Sequence, residues 1–482
     1  MRQIASVIKL RLEPDLKTAE ILDGQSRICN WLYNRLLEKA NHYREYYRET
    51  QEPTSAKILY TKFGLRNLVP ELKQENPFLK VVYAAPLKNT ALRLTASIQA
   101  YQKTRKGKRK GKTGWPRFRS WRARWFSLLF DEPYKGYQIK DQTLHLSLGM
   151  GQDRKQRSIS ICMPEAALLK DKEIHTLRIV KQAGIFSAVF TVTTHLPLSK
   201  PLNNIIALDP NHKNLAYGVN TQGHAIEIAA PYWLKNFDKR LDELKSKRDR
   251  CNKKACVLEI LDYEGDPTGK KRYEPSRRWK QLNTTLERVY AKRREQTKIF
   301  CYTAASKLFR EHDLVAIGDY TPHGNGCTTK MRRAMNNRSV IGRFKEVLSW
   351  VALKSGKSYE EYKEEGTTRS CNRCHYRVEG GLEPSIRTWI CPHCQTAHLR
   401  DENAAQNGLV RVLGNITEKN GGNSPLVPSS GRVEKRWAWC VQPRGVIITP
   451  RGKSGDEITS TKKLNEVRDS ASPNLIKISN FI

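Results

Sequence analysis

The sequence predicts an α+β protein of several domains, and three observations carry that prediction. Short alternating apolar runs near the start and between residues 137 and 194 read as strands. Apolar residues at helical spacing separate them. Two Cys-x-x-Cys pairs late in the chain read as a metal-bound ribbon. At 482 residues the chain has room for two to four domains, each burying its own core. An apolar content of 38% is that of a globular protein and not of a disordered one.

Charge narrows the function. Lys and Arg number 86 against 48 Asp and Glu, a formal net charge of +38. That excess opposes compact folding unless a polyanion neutralises it. Membranes and nucleic acids are both polyanionic. No apolar run approaches the roughly 18 residues of a membrane span, and no basic amphipathic stretch dominates. From Met1 to Leu16 the apolar residues alternate with Lys9 and Arg11, unlike a secretion signal. Nucleic acid is the expected partner, with no membrane. Eleven cysteines are too few for a disulfide scaffold, and four of them cluster. The expectation is a reducing, cytoplasmic setting and one metal site.

Along the chain, Ile4–Leu12 reads as an opening strand. Ile28, Trp31, Leu32, Leu36 and Ala40 recur at helical spacing, as do Leu87, Ala91, Leu94, Ile98 and Tyr101 after Pro86. The segment between these two helices is mixed and polar. Short alternating runs from Tyr137 to about Thr194 indicate an antiparallel β-domain, barrel-like, which the opening strand could rejoin. Ile205–Pro210 is a buried-type strand followed by a meander. A charged helical stretch is expected from Leu234 to Asp262, resuming from Trp279 to Arg310. Leu314–Ile317 is another buried strand, and Phe344–Leu353 and about Asn403–Leu413 are helices. After Gly414 the composition predicts a mostly disordered tail.

Cys371, Cys374, Cys391 and Cys394 form CxxC-x16-CxxC. Two thiolates three apart on a tight knuckle share one tetrahedral ion, and two knuckles complete a closed four-sulfur shell. The expected cofactor is structural Zn2+, with His375, His393 and His398 outside the shell. Asp209 ends a hydrophobic strand, and Asp401 opens a helix seven residues beyond Cys394. A strand-end carboxylate beside a helix-start carboxylate is what a Mg2+ phosphodiesterase centre needs, because hard oxygen ligands hold metals that activate water. Either aspartate alone is weak, since strand-end and N-cap aspartates are common.

The order of these pieces resembles the transposon-encoded TnpB (OrfB) proteins and the small type V CRISPR effectors derived from them. The resemblance runs from about residue 1 to 413. It is carried by CNWLYNRLLE, PLKNTALRLTASIQAYQK with GWPRFRS, LDPNHKNLA, FKEVLSWVALKSGK, and the ribbon running into RDENAAQNG. It implies an OB/WED-type barrel at 1–15 and 103–200 with a helical insertion at 16–102. It also implies an RNase H-like RuvC domain at 201–365, a zinc ribbon at 366–398, and the last RuvC motif at 399–414, before the tail at 415–482. The partners it implies are a guide RNA and target double-stranded DNA, together with a transposon- or CRISPR-associated protein, in a prokaryotic, nucleoid-associated location. Active members cut DNA with three carboxylates; here Asp209 is the first and Asp401 the third.

The second carboxylate is where this chain departs. The family ends a strand with Ile-Glu-Asp-Leu, and this sequence has Ile317, Gly318, Asp319 and Tyr320. Neighbours on a strand point to opposite faces, so Asp319 should face away from Asp209 unless a bulge at Gly318 turns it inward. The resulting expectation is an RNA-guided binder whose nuclease is weak or lost. The alternative is an active Mg2+-dependent endonuclease completed by Asp319. A further alternative is a basic zinc-ribbon protein that binds structured RNA only.

The segment from Lys103 to Trp125 contains no acidic residue. Its candidate nucleic-acid contacts are Lys103, Arg105, Lys106, Lys108, Arg109, Lys110, Lys112, Trp115, Arg117, Phe118, Arg119, Arg122 and Arg124. Cations neutralise phosphates there while rings stack on unpaired bases. The bland reading is a solvated basic loop.

Overall fold

The computed structural model describes residues 3–450 apart from 109–110, 112, 120–125, 152, 154, 200, 212–213, 255, 262–266, 321–328, 330–338, 384–385, 420–435 and 443–444. Among the sequence-based site residues, Arg109, Lys110, Lys112, Arg122 and Arg124 therefore lie outside the described residues. The described chain divides into two compact units between His195 and Leu196.

In the first unit, β1 (Gln3–Leu12) alternates so that Ile8, Leu10 and Leu12 are buried. Asp15 caps α1 (Leu16–Thr50), its Oδ1 accepting the Thr18 N–H at 2.6 Å, and the helix ends at Gln51 in the left-handed region. Leu22, Cys29, Leu32, Leu36 and Ala40 line its buried face. The mixed segment that follows holds two short helices, α2 (Pro53–Tyr60) and α3 (Val69–Glu75). Then α4 (Ala84–Arg105) buries Leu87, Ala91, Leu94 and Ile98. Six strands complete the unit: β2 (Ser127–Phe130), β3 (Tyr137–Lys140), β4 (Thr143–Met150), β5 (Gln156–Cys162), β6 (Ile174–Gln182) and β7 (Ile185–His195). The expected barrel resolves into two sheets, β1-β7-β6-β2 and β3-β4-β5. The opening strand rejoins them, pairing with β7 from Gln3↔His195 to Leu12↔Phe186.

The second unit is built on one mixed sheet. Its central meander is β8 (Ile205–Pro210), β9 (Ala216–Asn220) and β10 (Ala225–Ile228). Next come α5 (Trp233–Arg250), the hairpin β11 (Cys256–Leu261) and β12 (Pro267–Glu274), and α6 (Arg277–Glu311). They are followed by β13 (Leu314–Gly318), α7 (Ile341–Ser355) and β14 (Ser358–Tyr362). A small ribbon sheet, β15 (Thr388–Ile390) with β16 (Ala397–Leu399), leads into α8 (Arg400–Lys419), after which β17 (Arg436–Gln442) and β18 (Gly445–Pro450) return to the large sheet. The order is β14-β13-β8-β9-β10-β17-β18, with β13 parallel to both β8 and β14.

Three expectations change here. The charged helix stops at Arg250 and does not run to Asp262, because Cys256–Leu261 is a mostly apolar run with an antiparallel partner in β12. The stretch after 414 is not without structure: α8 continues to Lys419, and β17 and β18 extend the sheet, β17 pairing in parallel with β10. β14 was not expected at all. No helix among the described residues is long and apolar enough to cross a membrane.

Strand parity divides this sheet cleanly. Ile206, Leu208, Val315 and Ile317 pack against Phe300 and Leu308 of α6 and Phe344 and Leu348 of α7. Ile205, Ala207, Leu314, Ala316 and Tyr362 pack against Ala405, Leu409 and Val412 of α8. Residues at alternate positions share a face. Asp209 and Gly318 therefore fall on the α8 face, and the same alternation, carried one residue past the end of β13, assigns Asp319 to the other.

Candidate functional site

Asp209 sits at the carboxyl end of β8, 3% exposed, and its Oδ1 is buried without a hydrogen-bond partner. Asp401 is in the first turn of α8, half-buried, and takes the Arg387 Nη1 at 3.3 Å. The two are near enough for Asp401 to act on Asp209 electrostatically. The structure thus brings together the two carboxylates that the sequence singled out.

It does not bring Asp319 with them. Asp319 is exposed, and its Oδ1 accepts the backbone N–H of Glu364 at 2.9 Å. The third carboxylate beside Asp209 belongs to Glu364 itself, which hydrogen-bonds with Asp209. Burial, then Glu364 and Asp401, raise the Asp209 carboxyl well above its usual value. Burial, then Asp319, push Glu364 up to about 7. Sequence reading missed Glu364 because the strand that delivers it, Ser-Tyr-Glu-Glu-Tyr, lacks an apolar alternation. The available signal was a five-residue, tyrosine-bearing run between Gly356, which ends α7 in the left-handed region, and Gly366.

The helix that carries Asp401 is locked to the segment leading into the ribbon. Asn403, buried, donates to the Ser370 carbonyl at 2.8 Å and accepts the Asn372 N–H at 2.9 Å. Asn407 donates to the Thr367 and Ser370 carbonyls at 2.8 and 2.7 Å. The Tyr362 hydroxyl donates to the Leu208 carbonyl at 2.9 Å, one residue before Asp209, and Gly408 leaves room for its ring.

In the ribbon, the sulfurs of Cys371, Cys374, Cys391 and Cys394 lie within 4.8 Å of one another and could hold one metal ion. The two knuckles are alike. Cys371 N–H donates to Tyr376 O and Cys391 N–H to Thr396 O, both at 2.9 Å. His375 and Gln395, each following a second cysteine, take positive φ. His375 and His393 are not part of the sulfur cluster. His398 Nε2 lies 3.1 Å from Cys371 Sγ, with its ring against Trp389 at 4.8 Å, so it supports a ligand from behind.

The basic segment divides. Trp115 donates its indole N–H to Asn41 at 2.8 Å, with the Arg44 guanidinium 4.2 Å from its ring. Arg119 lies 3.5 Å over the Tyr33 ring and reaches Asn30. Both are spent on α1. Lys103, Arg105, Lys106, Lys108, Arg117 and Phe118 are exposed.

Comparison with known proteins adds to this geometry. The family model described as Cas12f1-like, TNB domain, matches residues 342–407. Comparison with curated proteins finds no match. Among solved structures, the Cas12f1-sgRNA-target DNA complex is similar at 10% identity and a TM-score of 0.51, over 84% of this chain and 98% of that one. CasPhi-2 (Cas12j) bound to crRNA is similar at 11% identity and a TM-score of 0.36, over 84% and 98%. A CRISPR-Cas12f ternary complex is similar at 12% identity and a TM-score of 0.30, over 82% and 85%. The class is thus a mixed α/β protein with a fold similar to that of a Cas12 effector and a four-cysteine cluster within its TNB-like segment. These findings support the resemblance to TnpB-like proteins and small type V effectors: the family model matches within residues 342–407, and the fold is similar along most of the chain.

Proposed function

We propose that this chain is an RNA-guided DNA-binding protein in which β8–β10, β13, β14 and α8 form a RuvC-like, RNase H-type domain. The observation that carries the reading is the likeness spanning 98% of a Cas12f1 chain solved with guide RNA and target DNA. The charge of +38 and the exposed cations around α4 and Arg117 suit phosphate neutralisation. Sequence specificity would come from base pairing, the protein reading duplex shape and a short flanking motif. The strands of the first unit would serve as the OB/WED-type platform.

Two metals fit the residues present. Four thiols at knuckle spacing suit structural Zn2+. At the strand ends, a buried carboxylate oxygen without a partner suits a hard divalent cation such as Mg2+. Asp209 and Asp401 would hold it, and a bound ion of this kind supplies water activation and charge stabilisation at phosphorus. Asp319 is a poor third carboxylate: it is exposed, faces away by parity, and is engaged with Glu364.

The test is to purify the full chain with its co-purifying RNA, sequence that RNA, and measure binding to duplexes that match or scramble it. Tighter binding to the matched duplex is expected. Equal binding to both would remove the guide and leave a zinc-ribbon protein that binds structured RNA.

A further inference from the structure

We propose that Glu364 is the third metal-holding carboxylate of this pocket, standing where Gly318 lacks a side chain, and that the chain is a working metal-dependent DNA nuclease. The substrate rests on the function proposed above; the role of Glu364 does not.

The geometry is specific to position 318. Gly318 lies on the α8 face of β13, the face of Asp209, and pairs with Tyr362 on β14. A Cβ built on Gly318 would lie 3.2 Å from Oε2 and Cδ of Glu364 and 3.1 Å from Cδ of Pro210. The Glu364 carboxylate therefore already occupies the space into which a side chain at 318 would project. The glycine is a vacancy filled from the neighbouring strand end.

That filling is held rigidly. The Glu364 N–H donates to Asp319 Oδ1 at 2.9 Å, and its carbonyl accepts the Thr367 N–H at 3.1 Å and hydroxyl at 2.8 Å. Arg411 of α8 donates to the carbonyls on either side, of Lys363 and, at 2.8 Å, of Glu365. Gly366 turns the chain away at φ 82°. Every backbone polar group of Glu364 is engaged, which fixes the carboxylate in advance, as a ligand site requires. Asp319 thereby acts as a positioning residue.

A purely structural role fits poorly. Two carboxylates packed together, with one oxygen of Asp209 buried and unpartnered, oppose folding unless a proton or a metal cation joins them, and near neutral pH a divalent cation does so without leaving that oxygen unsatisfied. Arg387 pairs with Asp401 from an exposed position, while Arg400 and Lys345, which act on Asp209 and Glu364 electrostatically, are engaged with the Glu383 carbonyl and with Glu361. In the reaction, a water oxygen bonds to phosphorus while the ester bond to one nucleoside oxygen breaks. The water gives up a proton and the departing oxygen takes one.

The test uses the full chain with its co-purifying RNA. Mn2+ binding is measured by calorimetry, and cleavage of a matched duplex in Mg2+ is measured separately from binding to it. Glu364→Gln is expected to weaken Mn2+ binding about 10–100-fold and slow cleavage at least about a hundredfold, with matched-duplex binding unchanged. In a Glu364→Ala background, Gly318→Glu is expected to restore part of both. Wild-type Mn2+ affinity in Glu364→Gln would overturn the assignment, as would matched-duplex binding by the wild type with no cleavage. Failure of the wild type to prefer the matched duplex would sink the guide reading instead, while the Mn2+ titration would still decide Glu364.

Discussion

The ribbon and the carboxylate pocket are both places where a metal could sit, and they are built in opposite ways. The ribbon's four sulfurs come from two knuckles of four residues each, with the same local hydrogen bonds and the same left-handed residue after each pair. The pocket's three carboxylates come from positions 209, 364 and 401, delivered by a strand end, a clamped turn and a helix start. A site made of local turns depends on its metal for its fold. A site assembled by a sheet depends on the sheet and needs its metal only for chemistry. Stripping metal should separate them sharply. A strong chelator is expected to unfold residues 366–399, since structural zinc in such sites contributes about 10–16 kcal/mol of apparent binding energy at neutral pH. Cys371 and Cys391, buried in the ribbon, should then react with a thiol reagent as fast as exposed thiols. The sheet should keep its amide protection; its collapse under the same treatment would contradict the contrast.

The same difference explains what could be read in the sequence. The ribbon ligands follow from spacing alone. Asp209 and Asp401 were legible because each sits at a recognisable boundary, the end of an apolar strand and the start of a helix after the ribbon. The parity argument that turned Asp319 away needed only the alternation of β13. Glu364 was not legible, because its relation to Gly318 exists only through the pairing of β13 with β14. A strand recruited by its neighbour's open edge, and not by its own pattern, leaves little trace in composition. β17 and β18 are read the same way: they sit on the other edge of that sheet. Conversely, Trp115 and Arg119 read as a nucleic-acid platform by composition, yet their partners lie on α1, more than seventy residues earlier.

The pocket should be sensitive to pH where the ribbon is not its cause. Glu364, at about 7, faces Asp209 from β8, Asp319 just after β13, Lys345 from α7 and, through Asp209, Asp401 and Arg400 from α8. A carboxyl raised on folding binds more protons in the folded than in the unfolded chain. Its contribution to metal-free stability is therefore present below about pH 4.5 and lost as pH rises to about 7. A cation must displace that proton, so Mn2+ affinity should rise about tenfold per pH unit up to about 7 and then level. In Glu364→Gln that slope should flatten, keeping only what the buried Asp209 carboxyl contributes. An unchanged slope would assign the proton elsewhere.

Packing behind the pocket offers a smaller lever. Gly408 on α8 faces Tyr362, with a built Cβ only 2.8 Å from its Cε2. Gly408→Ala would gain about 1 kcal/mol of helix propensity. Against that stand overpacking at about 1–3 kcal/mol and disturbance of the buried bond from Tyr362 to Leu208, whose loss costs about 1–3 kcal/mol. The net expectation is destabilisation by about 1–3 kcal/mol, read as a lower thermal midpoint. Because Leu208 precedes Asp209, weaker Mn2+ binding should accompany it. A stabilised variant would mean that the ring moves freely.

The smallest effects test the division within the basic segment. Arg119 is packed on Tyr33 and bonded to Asn30, whereas Arg117 is exposed. Arg119→Ala should therefore cost about 1–2 kcal/mol of stability, the sum expected of a partly desolvated cation–π contact and one hydrogen bond. It should leave the salt dependence of nucleic-acid binding unchanged. Arg117→Ala should move stability by no more than about 0.5 kcal/mol and lower the slope of log affinity against log salt by about 1 if it neutralises one phosphate. The two outcomes are opposite in both readouts, so a single pair of variants decides the matter. If Arg119→Ala changed the salt slope and spared stability, the guanidinium would have to leave Tyr33 on binding, and the segment would be a moving arm instead of a strap on α1.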